Sequence, residues 1–179
     1  IVVLITGTAN PAFFTLSGFQ DITLGVAVVA TLAVAQTLVI VMKHIDLSVG
    51  STIGFSAYLI GDASSKGHGF WYCMALALAL GLVVGAVNGY LVAYLKLPSL
   101  VVTLATLYIV RGLFNEIAGG NTITEDMVPK AINFMGLNTF FGVPYLFLVA
   151  VILMLVVGFI MKRLRPARDL YAIGSNLSA

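Results

Sequence analysis

The residues best suited to chemistry in this sequence form a polar cluster at positions 43–51, between two apolar runs. Asp46 and Ser48 are residue types that cap helix N-termini, and an anion there interacts favourably with the helix dipole. One interpretation is a capped turn in which Lys43 pairs with Asp46. The other is a helix break that lines a path for a solute, because transporters place discontinuous helices at such sites. The short apolar run that follows favours the break.

Four further polar residues lie inside apolar runs, where an unpaired polar group is costly and therefore informative. Asn88 could hydrogen-bond to a neighbouring helix or face a cavity. Thr103 and Thr106 can donate to carbonyl groups one turn earlier in their own helix, so packing is their default role. Arg111 either snorkels to pair with Glu116 at the interface or takes part in solute passage. The candidate path residues are therefore Asp46, Ser48, Asn88, Thr103, Thr106 and Arg111.

The residue patterns that other kinds of chemistry require are missing from this sequence. His44 and His68 are far apart and show no metal-ligand spacing, so no metal site is predicted. The phosphate-binding loop of ATPases, the nucleophile elbow and the His-Glu-x-x-His helix are all missing. Nine Lys and Arg against seven Asp and Glu give a net charge of +2 and no broad basic face for nucleic acid. We therefore expect a protein that is not an enzyme and that holds no cofactor of its own.

Composition places these residues in a membrane protein. Of 179 residues, 60% are hydrophobic and only 9% are charged, whereas soluble domains average about 25% charged residues. A membrane-spanning helix needs ~20 apolar residues. The apolar runs are 22–42, 70–95, 99–118 and 143–161, a shorter one at 47–61, and the tail of an earlier span at 1–5. The predicted fold is an all-α, polytopic transmembrane helical bundle with about five complete spans, one of them short or broken.

The segments between the runs carry turn residues. A break is predicted over residues 6–20, and Pro98 is suited to begin the next helix after a tight turn. The longest loop is expected at 119–142, with a short amphipathic helix around 126–134. Residues 162–166 are expected to end the last span abruptly.

The basic residues predict how this bundle is oriented. If the spans alternate, Lys66 and Lys130 fall on one side of the membrane. The other side receives Lys43, Lys96, Lys162, Arg163, Arg165 and Arg168. Because short cytoplasmic loops are enriched in Lys and Arg, the second side is predicted to be cytoplasmic. The unequal distribution of Lys and Arg exists only if residues 47–61 cross the membrane. Since such a distribution is expected of a membrane protein, it favours a real span at 47–61.

Several motifs, taken together, resemble the permease subunits of ribose-type sugar ABC importers, a group that includes autoinducer-2 and rhamnose members. The motifs are Ile-Asp-Leu-Ser-Val-Gly-Ser at 45–51, Val-Asn-Gly-Tyr-Leu-Val-Ala-Tyr-Leu-Lys-Leu-Pro at 87–98, Val-Thr-Leu-Ala-Thr-Leu-Tyr at 102–108 with Arg-Gly at 111–112, and Tyr-Ala-Ile-Gly-Ser-Asn at 171–176. Their order and spacing match the family across nearly the whole chain. The sequence departs from the family at Lys43 and His44, where members often have small residues.

The resemblance implies a multi-pass subunit in a bacterial inner membrane, surrounded by lipid, that moves a monosaccharide or similar small solute into the cytoplasm. Its implied partners are two ATPase subunits that bind the ATP, a second permease copy or homologue, and a periplasmic solute-binding protein. Residues 1–179 would form a single permease domain, the N-terminal half of a longer chain. Residues 162–179 would begin a cytoplasmic coupling segment. The implied ATPase contacts are Arg168, Tyr171, Gly174 and Asn176.

Two other functions remain compatible with the residues. An ATP-independent secondary carrier or channel would use a similar bundle, although proton-coupled carriers are expected to bury carboxylates in mid-span, and none is found there. A bundle that serves only assembly, with no solute path, is the third interpretation. Co-purification with an ATPase and dependence of uptake on this chain would separate the three.

Overall fold

The computed structural model describes Gly7 and residues 11–175, and these residues are mostly helical. The α-helices of this part of the chain are α1 (Leu16–Val41), α2 (Val49–Ser65), α3 (Phe70–Ala93), α4 (Ser99–Ala118), α5 (Lys130–Leu137), α6 (Tyr145–Arg163) and α7 (Arg165–Ser175). Short 3-10 turns lie at Pro11–Phe14 and Glu125–Met127, and two-residue strands at Thr139–Phe140 (β1) and Val143–Pro144 (β2). The predicted all-α, polytopic architecture is confirmed, with this small hairpin as an addition.

Within the described residues, four helices are long and apolar enough to cross a membrane: α1, α3, α4 and α6. Helix α2 has 17 residues, about 26 Å at the rise of an α-helix, slightly less than the ~30 Å hydrocarbon core. The fifth complete span therefore stays a prediction. The expected tail of an earlier span, residues 1–5, lies outside the described residues.

The start of α1 is one boundary at which the sequence prediction is wrong. The helix begins at Leu16 rather than near residue 22, because Thr15 caps it in an extended conformation. The Thr15 hydroxyl oxygen accepts a hydrogen bond from the Gly18 amide at 3.2 Å, which satisfies one of the free N–H groups of the first turn. The Asn-Pro and Ser-Gly pairs between residues 10 and 18 indicated a longer break than the structure has.

Helix α4 has the bounds that its turn residues predict. Pro98 lies directly before it with an extended backbone, as suits a proline at a helix start. Gly119 ends it with a left-handed φ of 55°, the conformation that glycine adopts most easily after a helix. The expected amphipathic helix in the following loop is present as α5, slightly later than predicted and after a separate 3-10 turn.

Backbone contacts divide the chain into two compact units, residues 43–133 and residues 1–42 with 134–179. In the unit 43–133, α2 packs against both α3 and α4. Its core consists of the buried side chains Phe55, Tyr58, Val84, Val110 and Ala118. This unit contains the helix break and most of the candidate site, and the single permease domain remains a prediction.

The unit formed by 1–42 and 134–179 pairs the long helices α1 and α6, and α7 packs against both of them. The β1–β2 hairpin joins α5 to α6 through a two-residue turn. Phe141 and Gly142 have φ values of 50° and 82°, and positive φ at both central residues is the type I′ geometry that matches strand twist. Phe141 in a left-handed conformation explains why residue types alone did not predict the hairpin.

The outward faces of the long helices are apolar. Leu82 on α3 is 72% exposed, and Leu155 on α6 is 66% exposed. In water such faces would be unfavourable, but hydrocarbon tails solvate them well. Within the described residues, such apolar faces fit helices that are long and apolar enough to cross a membrane.

Candidate functional site

The candidate site is built around the break between α1 and α2. Lys43 follows the end of α1 with a left-handed φ of 61°, and residues 44–47 are not helical. The Asp46 carboxylate then accepts two hydrogen bonds through Oδ1, one from the Ser48 amide at 2.8 Å and one from the Ser48 hydroxyl at 2.6 Å. Asp46 thereby holds the turn that leads into α2.

Ser48 precedes α2 as its N-cap residue, but its hydroxyl does not cap the helix. The Ser48 side chain is fully buried, at 1% exposed, and its oxygen accepts a hydrogen bond from Asn88 Nδ2 of α3 at 3.0 Å. In turn, Asn88 Oδ1 accepts a hydrogen bond from the Thr106 hydroxyl of α4 at 2.6 Å. One continuous chain of hydrogen bonds, which we call the polar chain, thus runs from Thr106 through Asn88 and Ser48 to Asp46.

A second set of contacts fastens the backbone of the break to the start of α4. The Thr103 hydroxyl lies 3.1 Å from the Ile45 carbonyl oxygen and 2.9 Å from that of Ser99, and it can donate to either. The Ile45 amide donates to the Ser99 hydroxyl at 3.2 Å. Two residues one turn apart on α4 therefore hold both backbone polar groups of Ile45.

The structure thus brings together five of the six predicted path residues, all except Arg111. In this part of the chain, no buried side-chain nitrogen or oxygen lacks a hydrogen-bond partner, so the polar chain is satisfied internally. Such a network can position the break and can be exchanged for another set of contacts if a helix moves. It presents no group arranged for covalent catalysis.

Arg111 lies on a different face of α4 from Thr106, and its side chain is exposed. Together with Gly50, Ser51, Gly54, Leu107 and Phe114 it lines a cavity of about 270 Å³, the Arg111 cavity. Across the described residues, Arg111 makes no ion pair with Glu116, so the interfacial pair considered from the sequence is absent. A guanidinium inside a candidate span is informative, because cations in a span usually face a bundle interior or water.

A second and larger cavity was not predicted from the sequence. It has a volume of about 470 Å³ and lies between α2, the end of α4 and the loop that follows. Its walls include Tyr58, Phe114, Asn121 and Thr122, and we call it the Tyr58 cavity. The small residues Gly50, Gly54 and Ala57 recur along one face of α2, and this spacing was the available signal for an open groove.

Three of the four predicted coupling residues lie in the other unit, on α7. Arg168 and Tyr171 are exposed, whereas Gly174 is buried. A Cβ atom at Gly174 would collide with the Val41 carbonyl oxygen at the end of α1, so only glycine allows this close approach. Asn176 lies outside the described residues.

Metal binding gains no support from the geometry. Among residues whose positions are described, no group of three His, Cys, Asp or Glu side chains could hold an ion. Cys73 is a free thiol with no exposed surface.

A family model described as "Branched-chain amino acid transport system / permease component" matches residues 18–179. The autoinducer 2 import system permease protein LsrC of Klebsiella pneumoniae is 38% identical over 170 residues, which are 95% of this chain and 49% of that protein. LsrC of Enterobacter sp. (strain 638) is 34% identical over 170 residues, again 95% of this chain and 49% of the relative.

LsrC of Yersinia pseudotuberculosis is 32% identical over 171 residues, covering 96% of this chain and 48% of that protein. The chain therefore spans about half the length of the curated relatives it matches. No solved structure matches it.

Proposed function

The chain belongs to the permease family described as branched-chain amino acid transport system / permease component, and on this basis we propose that it is the membrane-spanning subunit of an ATP-binding-cassette importer. It is a multi-pass protein of the bacterial inner membrane. The family assignment agrees with the resemblance to ribose-type sugar permeases, and the relatives named above are import permeases for autoinducer 2. We propose a monosaccharide or similar small solute as the cargo of this chain.

The observation that carries the proposal is the polar chain in a protein with only 9% charged residues. Its members come from the helix break, α3 and α4, and each hydrogen bond contributes about 0.5–1.5 kcal/mol net. That strength holds one arrangement of the three helices and still allows exchange. Alternating access would proceed by breaking these contacts on one side of the path and forming others, with α2 as a fifth, short span.

Each predicted path residue has a role in this mechanism. Asp46 and Ser48 fix the break, Asn88 and Thr106 tie it to two helices, and Thr103 holds its backbone. Arg111, on the wall of the smaller cavity, would meet the hydroxyl groups of a passing solute or its ordered water. The chain itself would carry out no covalent chemistry and bind no cofactor.

The energy would come from partner subunits. Two ATPase subunits would dock on the cytoplasmic side at α7, where the exposed Arg168 and Tyr171 are available for contact and Gly174 keeps the helix against α1. Asn176 is proposed as a further ATPase contact. A second permease copy or homologue would complete the membrane domain, and a periplasmic binding protein would deliver the solute.

The test is uptake into membrane vesicles that contain the full-length chain with the ATPase and the binding protein encoded beside it. We expect ATP-dependent accumulation of the solute that this binding protein binds, and co-purification of the ATPase with the chain. Uptake that persists without ATPase and ATP would instead establish a secondary carrier or channel. If uptake is unchanged when this chain is absent, the chain has no part in the solute path and serves only in assembly, which would contradict the proposal.

A further inference from the structure

The Tyr58 cavity is a formed site rather than a gap under a loose loop. Ile123 lies directly over Gly61 of α2, so close that a Cβ atom at Gly61 would overlap the Ile123 side chain. Gly119 and Gly120 take left-handed φ values of 55° and 82°, which turn the chain back towards α2. The loop is further held by a hydrogen bond of 2.8 Å from the Asn121 amide to the Ala118 carbonyl oxygen.

The size of the cavity fits a small molecule. Its volume of about 470 Å³ lies within the ~300–1,000 Å³ typical of small-molecule sites. Such sites combine mostly apolar walls with a few polar groups that orient the ligand. Here Ile60, Val128 and Ile132 supply apolar wall, and Asn121 and Thr122 supply polar side chains.

Two aromatic rings form one wall. The rings of Tyr58 and Phe114 lie with their centroids 5.5 Å apart and their planes inclined at 57°, and Phe55 supports Phe114 from behind at 6.0 Å. The face of an aromatic ring covers the C–H surface of a ligand well. The aromatic side chain also loses little conformational entropy when the ligand binds, because it has few rotatable bonds.

Tyr58 also carries a hydroxyl group. Its side chain is only 7% exposed, yet the hydroxyl makes no hydrogen bond to any described residue. Because no fully buried side-chain oxygen in the same residues is unsatisfied, the Tyr58 oxygen keeps some accessible surface, and Tyr58 is one of the residues that line the cavity. Tyrosine hydroxyls that are mostly buried usually find a partner.

The charge of the walls limits what this partner can be. No charged side chain is among the described residues that line the cavity. At the end of α2, Lys66 and Asp62 are paired with each other at 2.7 Å. A zwitterion such as an amino acid would bring two charges with no counter-charge in the walls, which is strongly unfavourable in an apolar site.

We propose that the Tyr58 cavity binds a small, neutral, hydroxyl-bearing molecule, with Tyr58, Asn121 and Thr122 hydrogen-bonding its hydroxyl groups. The proposal rests on the import function above and adds to it a site that separates neutral solutes from amino acids. Gly54 and Phe114 line both this cavity and the Arg111 cavity, so the two cavities adjoin at these residues.

Thiol labelling tests the site without requiring transport. Val128→Cys places a thiol on a half-buried wall position that takes no part in the proposed hydrogen bonding, whereas the native Cys73 is fully buried. The full-length variant in membranes is treated with N-ethylmaleimide, and modification at position 128 is followed by peptide mass spectrometry. D-ribose and L-rhamnose, two neutral probes, are expected to slow the labelling, and L-leucine is expected to leave it unchanged.

A second variant tests the hydroxyl group itself. Tyr58→Phe keeps the ring and removes one hydrogen bond, so the sugar concentration for half protection should rise about 2- to 12-fold. The matched control is Tyr108→Phe, because Tyr108 is 66% exposed on the same unit and does not line the cavity. It should leave the protection unchanged.

Each contrary outcome identifies what is wrong. Protection by leucine alone, labelling that neither sugar slows, or equal protection with and without the Tyr58 hydroxyl would overturn the proposed site. ATP-dependent uptake combined with absent protection would contradict the cavity and leave the import function standing. Protection by sugars combined with absent uptake would contradict the import function and leave the site standing.

Discussion

Asn88 is the middle of the polar chain, and its replacement by leucine gives the sharpest test of the site. Asn88→Leu removes two hydrogen bonds, one to Ser48 at 3.0 Å and one from Thr106 at 2.6 Å. Leucine keeps the number and branching of the side-chain heavy atoms, and no donor is orphaned, because Ser48 can still donate to Asp46, and Thr106 to the Val102 carbonyl oxygen at 3.0 Å. Two lost bonds at about 0.5–1.5 kcal/mol each should lower the free energy of unfolding by about 1–3 kcal/mol.

Thr106→Val, alone and combined with Asn88→Leu, measures the contact between these two side chains. Alone, it leaves the Asn88 carbonyl oxygen without its partner in a buried site. In the Asn88→Leu background that penalty no longer exists, so the second substitution should be milder. We expect the double variant to be less destabilised than the sum of the single variants by about 1 kcal/mol.

The assay is reversible unfolding of the full-length chain in mixed detergent–dodecyl sulfate micelles, followed by far-UV circular dichroism. Thr37→Val is the control, because the Thr37 hydroxyl donates to Ala33 within α1 at 2.7 Å and lies outside the polar chain. It should change stability by less than about 0.5 kcal/mol. If the sum of the two single effects equals the effect of the double variant to within about 0.3–0.5 kcal/mol, the direct contact between Asn88 and Thr106 is refuted.

Two glycine contacts give further predictions. Gly61→Ala should displace Ile123 and the loop over the Tyr58 cavity and cost about 1–3 kcal/mol, visible as faster proteolysis of that loop. Gly112→Ala is the control, since nothing lies within 4 Å of its Cβ position; equal proteolysis of the two variants would contradict the packing. Gly174→Ala should push α7 away from the Val41 carbonyl oxygen and reduce ATP-driven uptake, and uptake at the unsubstituted rate would show that the close approach is dispensable.

Elements bounded by local signals were predictable from the sequence. The bounds of α4 follow from Pro98 and from Gly119, whose backbone conformations the structure confirms. The start of α1 was missed because Thr15 provides a cap that outweighs the turn-forming residues nearby. The side chain of Thr15 interacts with Ser17 and Gly18 at this boundary, and composition does not register such local contacts.

The candidate site was also predictable only in part. Asp46 and Asn88 were recognisable as costly polar groups in an apolar chain, but their connection through Ser48 spans 40 residues and depends on how α2 meets α3. The Tyr58 cavity was not predictable, because its wall exists only where Ile123 folds back over Gly61. Long-range packing of this kind leaves no periodic pattern in the sequence.

The direction of the polar chain has a consequence of its own. A carboxylate accepts hydrogen bonds and donates none, so Asp46 at one end orients all the protons: Thr106 gives to Asn88, Asn88 to Ser48, and Ser48 to Asp46. The four groups therefore form a row of dipoles aligned head to tail, with a single permitted sense. An amide at position 46 would keep the shape and lose this polarity, because it could donate as well as accept. The one acidic group at the break thus acts as a terminus that gives the whole row one orientation in place of two.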